Sequence, residues 1–271
     1  MANQSTLENG FFAEINEKGE NSSFFTEEHL HRHHEIYFLI KGDIKYFVNN
    51  EILCIYENDT AFIKGGYIHR TSYNSGKYSK RLLVSFSSEF IGENYLDLVN
   101  ELGNKKLFES TKENGIDKIL MKIYTEYTSK KPHYLKQCKN LLRELLIVMY
   151  RLQTQELSQA LSENEKLIQS AAKYISSHLS EDITLSFLAQ KFAMSDSHFS
   201  RTFKQYTGLG VSKYIKLCRL KKAEELLVAG GFSVTQIALK CGFNNSNYFI
   251  SEFKKHQGIT PFKYSTIHRE N

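Results

Sequence analysis

Cysteine is scarce in this sequence, and the few cysteines present stand far apart. The 271 residues include four, none of them in a CxxC pair, and most lie within apolar patterns. Such spacing argues against a disulfide framework and against a CxxC-type metal site. We expect a cytoplasmic protein in which all four cysteines are reduced core residues: Cys54, Cys138, Cys218 and Cys241.

Long apolar runs are missing as well. No stretch is apolar over enough residues to cross a bilayer, and the first residues do not read as a signal peptide. We therefore expect a cytoplasmic protein without a membrane partner. At 271 residues the chain has room for two domains, each with its own core.

A strong excess of one charge is also absent, but the charge is unevenly divided. From residue 163 onward there are 15 Lys and Arg against 9 Asp and Glu, a net of +6. The first 162 residues hold 20 against 21, a net of −1. The positive potential thus belongs to the C-terminal part, as a polyanion-binding module requires.

One helical pattern occurs twice between residues 184 and 264. The copies read TLSFLAQKFAMSDSHFSRTFKQYTGLGVSKY and VTQIALKCGFNNSNYFISEFKKHQGITPFKY. A repeat that keeps its apolar positions and glycines while polar residues vary indicates one supersecondary unit used twice. The second copy has one extra residue in its turn, because the offset rises from 49 to 50 along these pairs: Ala189 and Ala238, Phe199 and Phe249, Phe203 and Phe253, Lys204 and Lys254, Gly208 and Gly258, Tyr214 and Tyr264.

Each copy predicts a helix-turn-helix. Apolar residues at helical spacing form a first helix, a short turn follows, and a polar residue caps a second helix that ends at glycine. The caps are expected at Ser195 or Asp196 in the first copy, and at Asn244 or Asn245 after Gly242 in the second, with helix ends at Gly208 and Gly258. The second helix of such a unit can enter a major groove of DNA.

The segment between the copies predicts one long helix, VSKYIKLCRLKKAEELLVA. Its roughly 19 residues at ~1.5 Å each make a rod of about 28 Å. This length approaches the ~34 Å between major-groove entries on one side of a duplex. One chain could then read a long, asymmetric site.

The double motif resembles the DNA-binding domain of AraC/XylS-type bacterial transcription regulators. The resemblance covers residues 165–268, and its most diagnostic run is GFNNSNYFISEFKKHQGITPFKY. The chain departs from the pattern at Ile250, where a polar residue is common, and in the small serines of the first reading helix. By position, the resemblance implies base contacts from Ser197, Ser200, Arg201, Ser246, Asn247 and Ser251.

The chemistry of these positions fits DNA recognition. Arg201 can pair with guanine and Asn247 with adenine, while serine hydroxyls can contact either kind of base edge. Phosphate contacts, which fix the register without reading the sequence, are expected from Lys204, Lys254 and Lys255. A single residue of this set is equally well explained as a solvated position on a helix face.

Residues 1–88 read as short strands separated by turn residues. The closely spaced strands predict an antiparallel barrel or sandwich, and hence an α+β, two-domain chain. The turns are expected at residues 42–43, 49–50, 58–59 and 65–66. The predicted strands are EIYFLIK (35–41), DIKYFVN (43–49), EILCIY (51–56), TAFIK (60–64) and RLLVSFS (81–87).

A histidine-rich segment, HLHRHHEIYFLIKG, resembles the first motif of the cupin barrel. From this resemblance we expect a cupin-like antiparallel β-barrel with packed helices. The second cupin motif is degraded, with Asn58 in place of a glycine and Gly65 in place of a proline. By this resemblance, the four metal-ligand positions are His29, His31, Glu35 and His69.

Three interpretations of this cluster stay open. Imidazole and carboxylate suit zinc, iron, manganese or nickel. The second interpretation is a metal-free pocket for a small effector, in which Tyr37 lies on the same face as Glu35 and His31 and stacks on the ligand. In the third, the residues only line a scaffold and Tyr37 packs the core. We expect no obligatory cofactor.

Residues 89–162 turn helical, with helices predicted over 115–130 and 134–158. The second has a wide apolar surface that fits either burial within the domain or a two-fold contact with a second copy. The polar run at residues 158–164 is the candidate linker, so we place the domains at 1–162 and 163–271. The apolar residues are Leu135, Cys138, Leu142, Leu145, Leu146, Met149 and Leu152.

Three functional hypotheses follow. The resemblance favours a homodimeric transcription regulator, more often an activator, that binds promoter DNA and a small effector and acts on RNA polymerase. The alternatives are a metal-dependent cupin enzyme joined to a DNA-binding module, and an effector-independent DNA-binding regulator. DNA-repair relatives with this double motif use a reactive cysteine cluster, which this sequence lacks. We expect no enzymatic activity.

Overall fold

The computed structural model describes residues 7–18, 32–73, 78–105, 107–111, 113–152 and 161–269. The chain divides into two compact units, Met1–Leu161 and Ser162–Asn271. Residues 158–160 of the predicted linker lie outside the described residues. None of the helices in the described ranges combines the length and the apolar character that a bilayer crossing needs.

The N-terminal unit contains two antiparallel sheets. One has the strand order β1-β7-β2-β5-β8 and the other β4-β3-β6. The pairings among the described strands therefore form two open sheets, and the closed cupin-like barrel expected from the sequence is not confirmed. The strands are β1 Phe11–Lys18, β2 His34–Lys41, β3 Ile44–Val48, β4 Glu51–Ile55, β5 Asp59–Ile63, β6 His69–Tyr73, β7 Ser79–Phe86 and β8 Leu107–Glu109.

Positive φ angles occur at all four predicted turns. Asn49 and Asn50 have φ of 45° and 72°, the pair of left-handed residues that a tight hairpin between β3 and β4 needs. Gly42, Asn58 and Gly66 have φ of 102°, 73° and 79°. The turn residues in the sequence thus located these chain reversals correctly.

Two cores lie on opposite faces of the five-stranded sheet. Alternate residues of a strand point to opposite faces, so Tyr37 and Leu39 pack with side chains of β3 and β4, between the two sheets. Ile36 and Phe38 pack on the other side, against the helices. The unit is therefore a layer of helices on a two-sheet sandwich. Its helices are α1 Ser88–Ile91, α2 Leu96–Lys105, α3 Ile116–Ser129 and α4 Tyr134–Arg151.

The apolar surface of α4 is used inside this unit. Cys138, Leu142, Leu145, Leu146 and Met149 have no exposed surface and belong to the core between the helices and the sheet. Burial within the domain therefore accounts for the apolar pattern. A homodimer stays a prediction that rests on the family resemblance.

Between residues 162 and 269, the C-terminal unit contains helices and no strand. The long helix α8 is its centre, because it contacts α5, α7, α9 and α11. The sequence predicted all four helices of the repeat, α6, α7, α9 and α10, and the linking helix α8. The helices are α5 Glu163–Ser177, α6 Leu185–Lys191, α7 Asp196–Thr207, α8 Val211–Ala229, α9 Val234–Lys240, α10 Ser246–Gln257 and α11 Pro261–Arg269.

The sequence repeat is also a repeat in three dimensions. The ring of Phe203 meets Tyr214 edge-on, with centroids 5.2 Å apart and an interplanar angle of 83°. Phe253 and Tyr264 form the same contact at 5.4 Å and 83°. Each pair ties the end of a reading helix to the helix that follows it, so both copies have the same core.

Candidate nucleic-acid interface

The first helix-turn-helix is formed by α6 and α7. Ala193 adopts a left-handed φ of 53° between them. The amide of Met194 donates to the carbonyl of Ala189 at 2.9 Å and closes the turn. This one left-handed residue ends α6 and redirects the chain into α7, as the turn of a helix-turn-helix requires.

The second helix-turn-helix, formed by α9 and α10, repeats this turn with one insertion. Gly242 has φ of 81°, and the amide of Phe243 donates to the carbonyl of Ala238 at 2.9 Å. Asn244 then adds one residue before the cap of α10. The predicted extra residue is thus placed between the turn and the reading helix.

Side-chain caps fix where both reading helices begin. The Ser195 hydroxyl accepts from the amide of His198 at 3.4 Å. The Asn245 side-chain oxygen accepts from the amides of Asn247 and Tyr248 at 2.8 and 3.1 Å. Of the two predicted candidates in each copy, Ser195 and not Asp196 caps α7, and Asn245 and not Asn244 caps α10.

The α7 helix buries one face and exposes the other. Phe199 and Phe203 have no exposed surface. Ser197, Arg201 and Lys204 are exposed, and their spacing of four and three residues places them along one side of the helix. Ser200, also predicted to contact bases, is half-buried. The exposed side combines a guanidinium, an ammonium and a hydroxyl group.

The α10 helix shows the same division. Asn247 and Ser251 are exposed, as are Lys254 and Lys255 in the last turn, whereas Ser246 is half-buried. The amide and hydroxyl stand near the helix start, and the two ammonium groups near its end. Both reading helices therefore present base-pairing chemistry first and phosphate-pairing chemistry later along the chain.

The sequence interpretation missed one exposed aromatic residue of this face. Tyr248 is 52% exposed at the start of α10, next to Asn247. A tyrosine followed by a phenylalanine reads as core packing, but only Phe249 is buried. The signal was the helical period, because residue 248 precedes the buried stripe of residues 249 and 253 and must face away from it.

In the N-terminal unit, Glu35 and His69 come together at one end of the space between the sheets. The Nε2 atom of His69 lies 3.4 Å from a carboxylate oxygen of Glu35, and its Nδ1 lies 2.8 Å from the carbonyl oxygen of Tyr67. Burial lowers the pKa of His69, but hydrogen bonding and charge from Glu35 outweigh it, so the pKa is raised. His33, at 3.8 Å from the same carboxylate, joins this cluster.

Two of the predicted ligands of this cluster, His29 and His31, lie outside the described residues. Within the described ranges, no three His, Cys, Asp or Glu side chains are arranged to hold a metal ion. The four-ligand metal site and the effector site thus stay predictions.

Tyr37 has no exposed surface. The guanidinium carbon of Arg81 lies 4.9 Å from the centre of its ring, and the ring of Tyr46 lies 5.3 Å away. Tyr37 therefore packs in the core between the sheets. Its predicted role in stacking on an effector requires Arg81 or Tyr46 to yield that position.

His34, which the sequence interpretation passed over, has a structural role. Its Nδ1 accepts from the amide of Gly65 at 3.0 Å, and its Nε2 lies 3.1 Å from the Ser88 hydroxyl. A Cβ at Gly65 would overlap with the carbonyl oxygen of Arg32. The glycine that departs from the cupin motif is thus required by close backbone packing.

Two helix-turn-helix units joined by one helix define a class of DNA-binding proteins. A profile of the family described as "Helix-turn-helix domain" matches residues 188–266, which include both units. Residues 188–266 therefore form a DNA-binding domain of the AraC/XylS type, and the chain is a DNA-binding transcription regulator.

Similar proteins match either most of the chain or less than half of it. The HTH-type transcriptional activator RhaR of Mannheimia succiniciproducens is 28% identical over 87% of this chain and 86% of its own length. RhaS of Salmonella arizonae is 31% identical over 45% of this chain and 42% of its own. The C-terminal domain of AraT, a response regulator from Geobacillus stearothermophilus, is 31% identical over 41% of this chain and 89% of that domain, with a TM-score of 0.37.

Proposed function

We propose that the chain is a sequence-specific transcription activator that binds promoter DNA through both reading helices. The observation that carries the proposal is the matched pair of capped, twelve-residue helices, α7 and α10, that expose polar and basic side chains from one unit. Similarity to RhaR and RhaS, both named activators, supports activation. An activator also needs RNA polymerase as a partner.

Within each helix, different side chains have different tasks. Arg201 pairs with guanine, Asn247 pairs with adenine, and the serines at 197, 200, 246 and 251 contact nearby base edges. Lys204, Lys254 and Lys255 bind phosphates and set the register. The first-turn amides of both helices add donors for phosphate oxygens.

The N-terminal unit is proposed to sense a small effector and to form a homodimer. Its two packed sheets support an effector site between them, with Glu35, Tyr37 and His69 facing that space. His29 and His31 are proposed members of the same site by the cupin resemblance alone. Binding there alters the packing of this unit and so changes DNA occupancy or polymerase contact. The polar groups at this place, amid an otherwise apolar core, support a ligand with hydrogen-bonding groups.

A divalent metal is compatible with the chemistry of the same residues. His29, His31, Glu35 and His69 would hold it, and zinc, iron, manganese or nickel would suit these donors. The contact between Glu35 and His69 at 3.4 Å must then give way to coordination. When bound, the metal would act as an anchor for an effector carboxylate or hydroxyl.

The test separates base readout from phosphate binding. Arg201→Ala should weaken binding of the preferred duplex by about tenfold or more, with little effect on an unrelated duplex, because a bidentate base contact is worth about 1–3 kcal/mol of discrimination. The matched control, Lys254→Ala, should weaken both duplexes alike. Titration by fluorescence anisotropy at constant salt measures both ratios. An unchanged ratio in Arg201→Ala would show that α7 does not read bases as proposed.

A further inference from the structure

Arg219 lies near the middle of the linking helix α8 and bonds to a loop far away in sequence. Its Nε donates to the carbonyl of Leu179 at 3.0 Å, and its Nη2 donates to the carbonyl of Glu181 at 2.8 Å. These carbonyls belong to the loop between α5 and α6, which leads into the first helix-turn-helix. One guanidinium therefore ties the entry of the first unit to the linking helix.

The turn of the second helix-turn-helix packs on the same atoms. A Cβ at Gly242 would overlap with the carbonyl oxygen of Leu179 and would lie 2.8 Å from Nε of Arg219. The backbone of Gly242 is thus in direct contact with the loop carbonyl that Arg219 binds. Three segments meet here: the loop before α6, the middle of α8 and the turn between α9 and α10.

This junction is a feature of the second turn only. Ala193 holds the equivalent place in the first turn with a left-handed φ of 53°, so that turn accepts a Cβ. Gly242 has a similar φ of 81° but lies against Leu179 and Arg219. Tight packing against the first unit, in addition to turn geometry, therefore requires glycine at position 242.

The arginine is suited to this task because its fork of donors holds two carbonyls at once. Burial lowers the pKa of the guanidinium, and the charge of Asp182 partly offsets that effect. A lysine at this place has one compact ammonium group and cannot reproduce the planar fork. The pair of bonds fixes a direction as well as a distance.

We propose that Arg219, packed against Gly242, is the positioning residue that fixes one reading helix relative to the other and so selects the spacing between two half-sites on DNA. The proposal deepens the proposed function and rests on both helices entering the major groove. One base pair moves a half-site by about 3.4 Å and rotates it by roughly 35°. A rigid pair of helices cannot follow that change, whereas a loosened pair can.

The experiment compares full-length variants on duplexes of changed spacing. A duplex of about 30 base pairs, selected by the wild-type chain from a random pool, is remade with one base pair added or removed between its half-sites. We expect the wild type to lose about tenfold in affinity on either change. Arg219→Ala should bind the original duplex about tenfold more weakly and lose less than about threefold on changing the spacing.

Two further variants keep the result interpretable. Lys222→Ala removes a positive charge from the exposed side of the same helix, so it should keep the wild-type spacing ratio. Arg219→Lys keeps the charge and one donor group, so it should fold and lose an intermediate amount of affinity when the spacing is changed. If circular dichroism shows that Arg219→Ala does not fold, Arg219→Lys is the deciding variant. A wild-type ratio in the Arg219 variants overturns this inference alone. A wild type indifferent to spacing overturns the two-helix binding mode itself.

Discussion

Glycine has different reasons to be present at two left-handed positions of the DNA-binding unit. Gly242 and Gly258 have φ of 81° and 77°. A Cβ at Gly258 would have no atom within 4 Å, whereas at Gly242 it would overlap with the Leu179 carbonyl. Position 258 is therefore limited by backbone conformation alone, and position 242 by conformation and packing together.

Alanine substitution should separate these two reasons. Gly258→Ala should lower the free energy of unfolding by roughly 1–2 kcal/mol, the cost of left-handed backbone in a residue with a Cβ. Gly242→Ala should lower it by about 3 kcal/mol or more, because overlap adds to that cost. Differential scanning calorimetry of the full chain gives both values. Equal losses would contradict the packing described at Gly242.

The pair of Glu35 and His69 makes a pH-dependent contribution to stability. The folded-state pKa of His69 is raised above its ordinary value. The stabilisation is therefore fully present below the unfolded pKa, about 6.5, and is lost as the pH rises through the folded pKa.

Glu35→Gln should remove this contribution. The variant should lose about 2 kcal/mol of unfolding free energy at about pH 5.5 and less at about pH 8.5, because His69 loses its charge as the pH rises through its raised folded pKa. Thermal unfolding at the two pH values measures the difference. His33→Gln, whose partly exposed ring lies 3.8 Å from Glu35, is the control and should leave most of the pH dependence. A loss in Glu35→Gln that is the same at both pH values would refute a charged pair.

At single residues, local signals were readable and distant ones were not. Ser195 and Asn245 were each one of two candidate caps in the sequence, because a cap is set by its own helix. Arg219 reads as one more basic residue on a helix. Its partners are backbone carbonyls 38 and 40 residues away, which carry no sequence signal.

Whole elements were predictable where a pattern repeats or alternates. The duplicated helices and five strands followed from periodicity and turn residues. Three strands were not predicted. The β6 strand, HRTSY, begins with polar residues, and β8 has only three residues. The β1 strand pairs with β7, which lies more than sixty residues later in the chain. The two-sheet arrangement depends on such distant pairings, so the sequence predicted a cupin-like barrel where the described strands form two open sheets.

The start of α10 offers a test at the scale of one element. Asn245→Ala removes the acceptor of two backbone amides and should lower the free energy of unfolding by about 1 kcal/mol. It should also weaken DNA binding, since residues 246 and 247 lie in the first turn. Asn244→Ala changes an exposed neighbour one residue earlier and should stay within about 0.5 kcal/mol of the wild type. Calorimetry and anisotropy measure the two effects. Indistinguishable variants would argue against Asn245 as the cap.

At the scale of the molecule, charge and architecture divide in the same way. The unit with both helix-turn-helix motifs has all of the positive excess, a net of +6, and the β-rich unit has a net of −1. We therefore expect the C-terminal unit to attract DNA, through the exposed residues Arg201, Lys204, Lys254 and Lys255 of its reading helices. The sequence predicted this division of labour, since it depends only on composition and on the repeat.

The central claim is that one chain reads DNA at two places with two rigidly joined helices. Selection of duplexes from a random pool by the full-length chain, followed by sequencing, tests it most directly. The account predicts two blocks of preferred bases about one helical turn apart, centre to centre. Arg201→Ala should erase one block and Asn247→Ala the other. A single contiguous block, or a variant that erases both blocks or neither, would contradict it.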